Sequence, residues 1–365
     1  MPSLQTPPNT SHRKHLSQSS NTLWYRWREV TVSDSVFLIA EAGINHNGDV
    51  DRALEMVEVA ATSGADAIKF QTFTADALVT ENASLVDYQQ GTGTAKSQHA
   101  LLRELELTRE SHGLLAAEAR RRGLVFLSTA FDLRSLEVLD SFSVPFLKVP
   151  SGEITNFPYL QEVGRRGRPV FLSTGMSTLQ EVTTAIDVLC DTGLARQDIT
   201  VLHCTSCYPT EYRFVHLRAM VTLRDALNVR VGYSDHTLGH EVAAAAVALG
   251  ASALEKHFTL DRNLPGPDHQ ASADPSEFTA YVAAVRNVER ALGSETKTPQ
   301  PCEEQARKLV RKSIVASRPI QAGEALTPHN LTTKRPGTGI SPMAWGEILG
   351  QTAARDFDKD EIIEA

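Results

Sequence analysis

The chain has 365 residues, a formal net charge of −8 and an ordinary globular balance of 41% hydrophobic to 22% charged residues, which leaves no basic nucleic-acid footprint overall. Its four cysteines (Cys190, Cys204, Cys207 and Cys302) are too few for a disulfide scaffold, and no apolar run approaches the roughly 20 residues of a membrane span. The polar, Ser/Thr/Pro-rich start lacks the apolar core of a secretory signal, so residues 1–30 are expected to be a disordered leader and the protein cytoplasmic.

Short apolar runs then alternate with amphipathic stretches. VFLIAEAG, from Val36 to Gly43, reads as a buried strand, and DRALEMVEVAATSG follows with helical spacing and stops at Gly64. AIKFQTF, from Ala67, is the next strand. An irregular stretch rich in Asn, Thr, Gln and Gly runs on to Gln98, before the helical LTRESHGLLAAEARRRG and the strand LVFLSTAF. The alternation continues through PFLKVPSG, PVFLSTGM, ITVLHCTS, VRVGYSDH and SALEKHFTL, each strand separated from the next by a helical segment, and closes with PSEFTAYVAAVRNVERALG. About eight strand–helix units in about 260 residues match a (β/α)₈ TIM barrel. An open doubly wound sheet is the rival, but no G-x-G-x-x-G follows the first strand. The barrel is therefore expected over residues 31–294. Polar SETKTPQPCEEQ suggests a linker over 295–307, and Gly- and Pro-broken β segments suggest a small β-rich domain over 308–365.

Catalytic groups of such barrels stand at the C-terminal strand ends. Polar residues collect there on nearly every strand: Glu41, Asn45 and His46; Lys69 and Gln71; Ser128, Thr129 and Asp132; Lys148, Ser151 and Glu153; Ser173 and Thr174; His203, Thr205, Ser206 and Tyr208; Ser234, Asp235 and His236; Glu255, Lys256 and His257. Any one of them is as readily a helix cap or a satisfied hydrogen-bonding group. Lys69 and Lys148 with Ser151 and Ser173 would suit a phosphate, or the lysines would pair with Glu41 or Glu153 in a structural network. His236 and His257 end consecutive strands, where two imidazoles can share one divalent ion and leave positions open for water or substrate; unrelated hydrogen-bonded histidines are the alternative. Asp268, in Gly266-Pro267-Asp268-His269, would orient a sugar hydroxyl or belong to a plain turn. Cys204 and Cys207 form a C-x-x-C with no second pair at zinc spacing.

IAEAGINHNG at Ile39, IKFQTF at Ile68, FLKVPSGE at Phe146, FLSTGMS at Phe171, LHCTSCYPT at Leu202, GYSDHTLG at Gly232, LEKHFTL at Leu254 and GPDHQAS at Gly266 together resemble the sialic acid synthases. That family covers N-acetylneuraminate synthase and its legionaminate-type relatives. IVASRPIQAGEALTPHNLTTKRPGTGI resembles the SAF module, which is related to type III antifreeze proteins. The resemblance implies a metal-dependent condensation of phosphoenolpyruvate with open-chain N-acetylmannosamine and water, with C–O cleavage releasing phosphate; the alternative acceptor is the 2,4-diacetamido-trideoxy sugar of legionaminate synthases. It would assign Lys69, Lys148, Ser151, Ser173, Ser206 and Ser234 to phosphoenolpyruvate, and His236 and His257 to Mn²⁺ or Mg²⁺. Gln71, Tyr208 and Asp268 would face the sugar or the metal's water, Glu153 would transfer a proton, and Glu41 would support it. Ser206 stands where some members carry Asn. Arg335 would reach the N-acetyl group of sugar bound in the partner subunit of a domain-swapped homodimer. The stretch from Thr80 to Gln98, with Tyr88 and Gln89, is expected to wall the acceptor pocket. Cys204 and Cys207 fall inside the sixth-strand motif, which favours packing over redox chemistry.

Two rivals stand beside this reading. A Schiff-base aldolase would use Lys69, Lys148 or Lys256 as its amine, although such an enzyme needs no histidine pair. A carbohydrate- or ice-binding module on an inert barrel would have no need of polar groups at every strand end.

Overall fold

The computed structural model describes residues 35–85 and 97–364; the expected leader at 1–30 and the expected wall residues Tyr88 and Gln89 lie outside them. The chain divides into two compact units at Gly293/Ser294. Among the described residues no helix is long and apolar enough to cross a membrane.

In the first unit eight parallel strands close into a barrel in chain order. They are β1 Phe37–Gly43, β2 Ala67–Thr72, β3 Val125–Ala130, β4 Leu147–Val149, β5 Val170–Ser173, β6 Ile199–His203, β7 Arg230–Asp235 and β8 Ala253–His257. Successive side chains on a strand point to opposite faces, so each strand serves two cores. One face, with Leu38, Ala40, Ile68, Phe70, Val149, Leu172 and Val231, packs under the surrounding helices. The other fills the barrel with Phe37, Ile39, Ala67, Leu127, Phe146, Phe171, Leu202 and Ala253. Phe146 meets Phe171 edge to face at 4.8 Å, and Phe37 meets Phe146 the same way at 5.5 Å. This plug is apolar toward the N-terminal ends of the strands. The same inward parity continues at the other end as Glu41, Lys69, Lys148, Ser234 and Glu255.

The plug leaves no room at Gly232. A Cβ there would stand 2.4 Å from the Ala253 carbonyl oxygen and 2.7 Å from Leu202 Cδ2.

The first and last loops at the C-terminal mouth are tied together. Asn45 donates from Nδ2 to the Phe258 carbonyl at 2.8 Å and to Ser272 Oγ at 2.9 Å. Asn47 donates to the Pro265 carbonyl at 2.7 Å, and its Oδ1 lies 3.1 Å from His269 Nε2. His46 turns its Nδ1 to the amide of Gly48 at 2.9 Å. The polar residues of IAEAGINHNG and GPDHQAS thus include the seam that closes the ring.

Local chemistry starts the helices. Asp49 caps Val50–Thr62, Thr108 caps Arg109–Arg121, and capping boxes begin Leu179–Asp191 and Pro275–Leu292. Asp132, one of the strand-end candidates, is such a cap: its carboxylate accepts from the Ser135 amide at 2.8 Å.

In the second unit β9 (Ser313–Ala316) pairs antiparallel with β10 (Leu331–Lys334). Its core is Ile314, Ile320, Leu326, Leu331, Ile348, Phe357 and Ile363. The stretch expected as a linker over 295–307 already contains the start of a helix, Glu304–Val310.

Two outcomes are expected. Gly232→Ala overpacks the barrel interior, at a cost of about 1–3 kcal/mol, and should lower the barrel transition in a thermal melt; Gly346→Ala, with open space around its Cβ, should leave the melt unchanged. Burial holds His46 and His269 down at about 4, against 6.5 for a free imidazole. The unfolded chain therefore takes up those protons first. Their contribution is complete above pH 6.5 and is lost as pH falls from about 6.5 toward 4. Glu41 and Asp268, raised by burial to about 7 and about 6, act in the opposite direction over the same window, so the seam is read by difference: melting temperature should fall less between pH 6.5 and 4 in His269→Gln than in the parent, and identical profiles would contradict this role of the seam.

Candidate active site

Parity sorts the strand-end residues. On β3, Ser128 faces outward and bonds Thr72 Oγ1 at 2.7 Å, which in turn meets His112 at 2.8 Å. Thr129 faces inward and accepts from Lys69 Nζ at 2.8 Å. On β8, Glu255 and His257 face the barrel interior while Lys256 faces out, its Nζ 3.3 Å from Asp235 Oδ2 and 5.5 Å from the Tyr281 ring centre.

The inward residues form a buried charge cage. Lys148 Nζ donates to both oxygens of Glu255, at 2.9 and 3.0 Å. Ser234 Oγ donates to Glu255 Oε1 at 3.0 Å. Lys69 Nζ lies 3.7 Å from Glu255 and 2.7 Å from Glu41 Oε2. All five side chains are buried. Burial acts to raise Glu255, but Lys148 and Lys69 outweigh it and hold the carboxyl well below its usual range. Burial also raises Glu41, to about 7, against the pull of Lys69. Burial works to discharge Lys69, yet Glu255 and Glu41 more than compensate; Lys148 is lowered, by burial first and by Lys69 beside it. Two ammonium groups therefore face one firm carboxylate and one carboxyl near its midpoint at neutral pH. The balance leaves room for an anion.

A second cluster surrounds Gly175. Ser151 Oγ accepts from its amide at 2.9 Å and lies 3.3 Å from Cys204 Sγ. A Cβ on Gly175 would stand 2.2 Å from Ser206 Oγ and 2.9 Å from Ser151 Oγ. Ser173 Oγ is buried without a hydrogen-bond partner among the described residues. Cys204 is a buried free thiol and Cys207 an exposed one.

His236 and His257 meet with ring centres 5.6 Å apart, close enough for both imidazoles to reach one ion at metal–nitrogen distances of roughly 2.1 Å. Burial keeps both below the ordinary histidine range, in the neutral ligating form. His236 Nδ1 lies 2.7 Å from the Thr205 carbonyl, so the proton sits there and Nε2 keeps its lone pair. His257 Nδ1 is buried with no partner among the described residues. No cluster of three or more His, Cys, Asp or Glu suited to a metal ion forms among them, so water or substrate would have to complete the coordination. The donor set fits a catalytic divalent ion on those terms. Tyr208 covers the pair, its ring centre 4.2 Å from that of His236 and 5.8 Å from that of His257.

Gln71 and Glu41 reach the same place: a Cβ on Gly43 would lie 3.4 Å from Glu41 Oε1 and 3.5 Å from both Gln71 Nε2 and His257 Nδ1. Asp268 is buried and raised by burial to about 6. Glu153 is set apart from the cage by its interactions: it accepts from Asn156 at 2.5 Å, and burial followed by Asn156 and Asp132 sets its titration. Arg335 follows β10 in the second unit, on an exposed segment.

Glu255 was missed as a site residue. Counting inward positions along β8 from Ala253 would have found it, because Ala253, Glu255 and His257 share one face.

The NeuB family model matches residues 56–297, and the SAF domain model matches 311–365. The chain is 45% identical over 327 residues to N,N'-diacetyllegionaminic acid synthase of Campylobacter jejuni, covering 89% of this chain and 98% of that protein. It is 48% identical over 321 residues to the protein of the same name from Legionella pneumophila, covering 87% and 90%. The crystal structure of N-acetylneuraminic acid (sialic acid) synthetase from Leptospira borgpetersenii superposes with a TM-score of 0.65 at 32% identity, over 74% of this chain and 90% of that one.

Removing the shared carboxylate should expose the cage's cost. Glu255→Ala leaves Lys148 and Lys69 buried with only Glu41 as counter-charge, and should destabilise the barrel by about 3–5 kcal/mol, read as a lowered thermal transition. An unchanged melt would mean that water, not Glu255, balances the lysines.

Proposed function

The chain belongs to the NeuB family, and from that premise we propose that it condenses phosphoenolpyruvate with the open-chain aldehyde of a 2,4-diacetamido-trideoxy sugar and water, giving a legionaminate-type keto acid and phosphate. One observation carries the chemistry: the buried Lys69–Glu255–Lys148 cage shares the barrel mouth with a neutral histidine pair. The relatives named for legionaminic acid favour the diacetamido acceptor over N-acetylmannosamine, the acceptor first expected. N-acetylmannosamine is the second reading, supported by the 32%-identical Leptospira synthetase.

In this reading Lys69 and Lys148 hold the phosphate and carboxylate of phosphoenolpyruvate, with Ser151, Ser173, Ser206 and Ser234 as hydroxyl partners. Glu255 keeps both ammonium groups charged and in place until the substrate anion arrives. A divalent ion, Mn²⁺ or Mg²⁺, held by His236 and His257 would supply Lewis acidity at the aldehyde oxygen. Carbon 3 of phosphoenolpyruvate bonds to the aldehyde carbon, water adds at carbon 2, and the bond from carbon 2 to the phosphate oxygen breaks. The water gives up both of its protons as carbon 2 becomes a keto carbonyl: one ends on the former aldehyde oxygen and the other on the departing phosphate. Of the two carboxyls read for this transfer, Glu41 fits better, because burial brings it to about 7 beside Gln71 and His257. Gln71, Tyr208 and Asp268 orient the sugar. Positioning and fixed charge supply most of the rate.

A homodimer in which Arg335 reaches the partner's sugar belongs to the same proposal. The strand-end loops and the first turns after them expose Leu133, Phe157, Leu179, Tyr212, Phe214, Leu238 and Met176 (77% exposed), and the second unit exposes Met343 (92%). Apolar surface of this kind supports an interface.

The test is phosphate release from phosphoenolpyruvate with Mn²⁺, with each acceptor, with and without EDTA. EDTA-sensitive release that is faster with the diacetamido sugar is expected, and Lys148→Met should lower kcat/KM at least roughly 100-fold. Faster release with N-acetylmannosamine would move the assignment to N-acetylneuraminate. Silence with both acceptors, from folded and metal-loaded protein, would overturn the condensation and favour a lysine aldolase, which borohydride trapping with pyruvate would reveal at Lys69 or Lys148.

A further inference from the structure

Lys256 stands between the two candidate ligands in sequence on β8 yet faces away from them. It is buried, and its Nζ donates to the Thr237 carbonyl and pairs with Asp235 at 3.3 Å. Asp235 in turn accepts from the Thr237 amide at 2.9 Å and from Thr237 Oγ1 at 2.7 Å. Asp235 and Thr237 flank His236, while Lys256 directly precedes His257. One ammonium group therefore grips both neighbours of one imidazole from the residue adjacent to the other. Ladder pairing alone does not do this: the β7–β8 register runs Ser234 to Glu255 and Asp235 to Lys256 and ends before His236.

We propose that Lys256 is a positioning residue for a divalent-ion site, a strut on the outer face of the barrel that sets the spacing of His236 and His257 on the inner face. The inference rests on the proposed ion at that pair. Partners behind ligating histidines fix ring orientation, and their loss typically weakens metal affinity roughly 10–100-fold. A cavity of about 280 Å³ beside the strut, lined by Thr237, Leu238, Arg262, Tyr281 and Lys256 itself, gives water a way to the place the ammonium would vacate. That access favours a folded Lys256→Met protein.

The experiment measures Mn²⁺ affinity by calorimetry, and phosphoenolpyruvate affinity separately in EDTA. It uses the full chain, Lys256→Met, and Asp235→Asn as a second cut of the same strut should Lys256→Met not fold. Phe146→Leu, in the apolar plug, controls for lost stability. The expected result is Mn²⁺ binding weakened at least tenfold in the strut variants, phosphoenolpyruvate binding within about twofold of the parent, and Mn²⁺ binding unchanged in Phe146→Leu. Mn²⁺ binding within twofold of the parent in a folded strut variant, or an equal loss in Phe146→Leu, would overturn the strut while leaving the metal site standing. A parent protein that binds no Mn²⁺, or binds it equally after His236→Ala, would overturn the metal reading and the strut with it.

Discussion

The hydrogen-bonded pair of Lys148 with both oxygens of Glu255 is the constraint on which the rest of the site depends. Two buried lysines in a barrel mouth would repel each other and lose their protons to burial. A single carboxylate shared between them, and fixed by Ser234, keeps the ammonium groups charged. A buried ion pair of this kind is poor evidence of stability, because hydrophobic residues of the same volume often do as well. Its presence at the C-terminal end of eight strands, above an aromatic plug that needs no charge, is therefore an argument for function. The cage is arranged so that an incoming phosphate and carboxylate meet charged, oriented donors.

The plug and the mouth are one device seen at two heights. Inward residues are apolar at Phe37, Phe146 and Phe171, and become Glu41, Lys148 and Ser173 two or four residues further along the same strands. The lower layer packs the strands against one another beneath the polar groups. The seam between Asn45, Asn47 and the loop carrying Pro265 and His269 closes the ring where β1 meets β8, the two strands that carry Glu41, Glu255 and His257.

The barrel was legible in the sequence because strand and helix periods alternate on both sides of the irregular stretch before Gln98 and polar residues collect at strand ends. The β-rich tail was legible from its Gly and Pro breaks. The distinction between a site residue and its neighbour was not, because clustering at strand ends ignores parity. Asp132 is a helix cap, Ser128 serves an outer network with His112, and Lys256 points out of the barrel, so its candidacy as a Schiff-base amine has no support from its orientation. Glu255 was visible in the same motif as His257 and was left without a role, since only its position between two lysines from other strands gives it one. Glu153 follows β4 as the family motif expects, yet its hydrogen bond goes to Asn156. Arg335 belongs to a separate compact unit, and its proposed contact with a partner's sugar depends on an assembly that one chain's periodicity does not encode.

The buried charge cage is placed to take up phosphoenolpyruvate. Calorimetric titration of phosphoenolpyruvate into the parent protein and into Lys148→Met tests it most directly. Binding by the parent and a loss of roughly 100-fold or more in the variant are expected, since a charge-assisted pair to the anion disappears and Lys69 becomes the one lysine left beside Glu255. Equal affinity in the two proteins would show that the lysines are structural and that the anion site lies elsewhere.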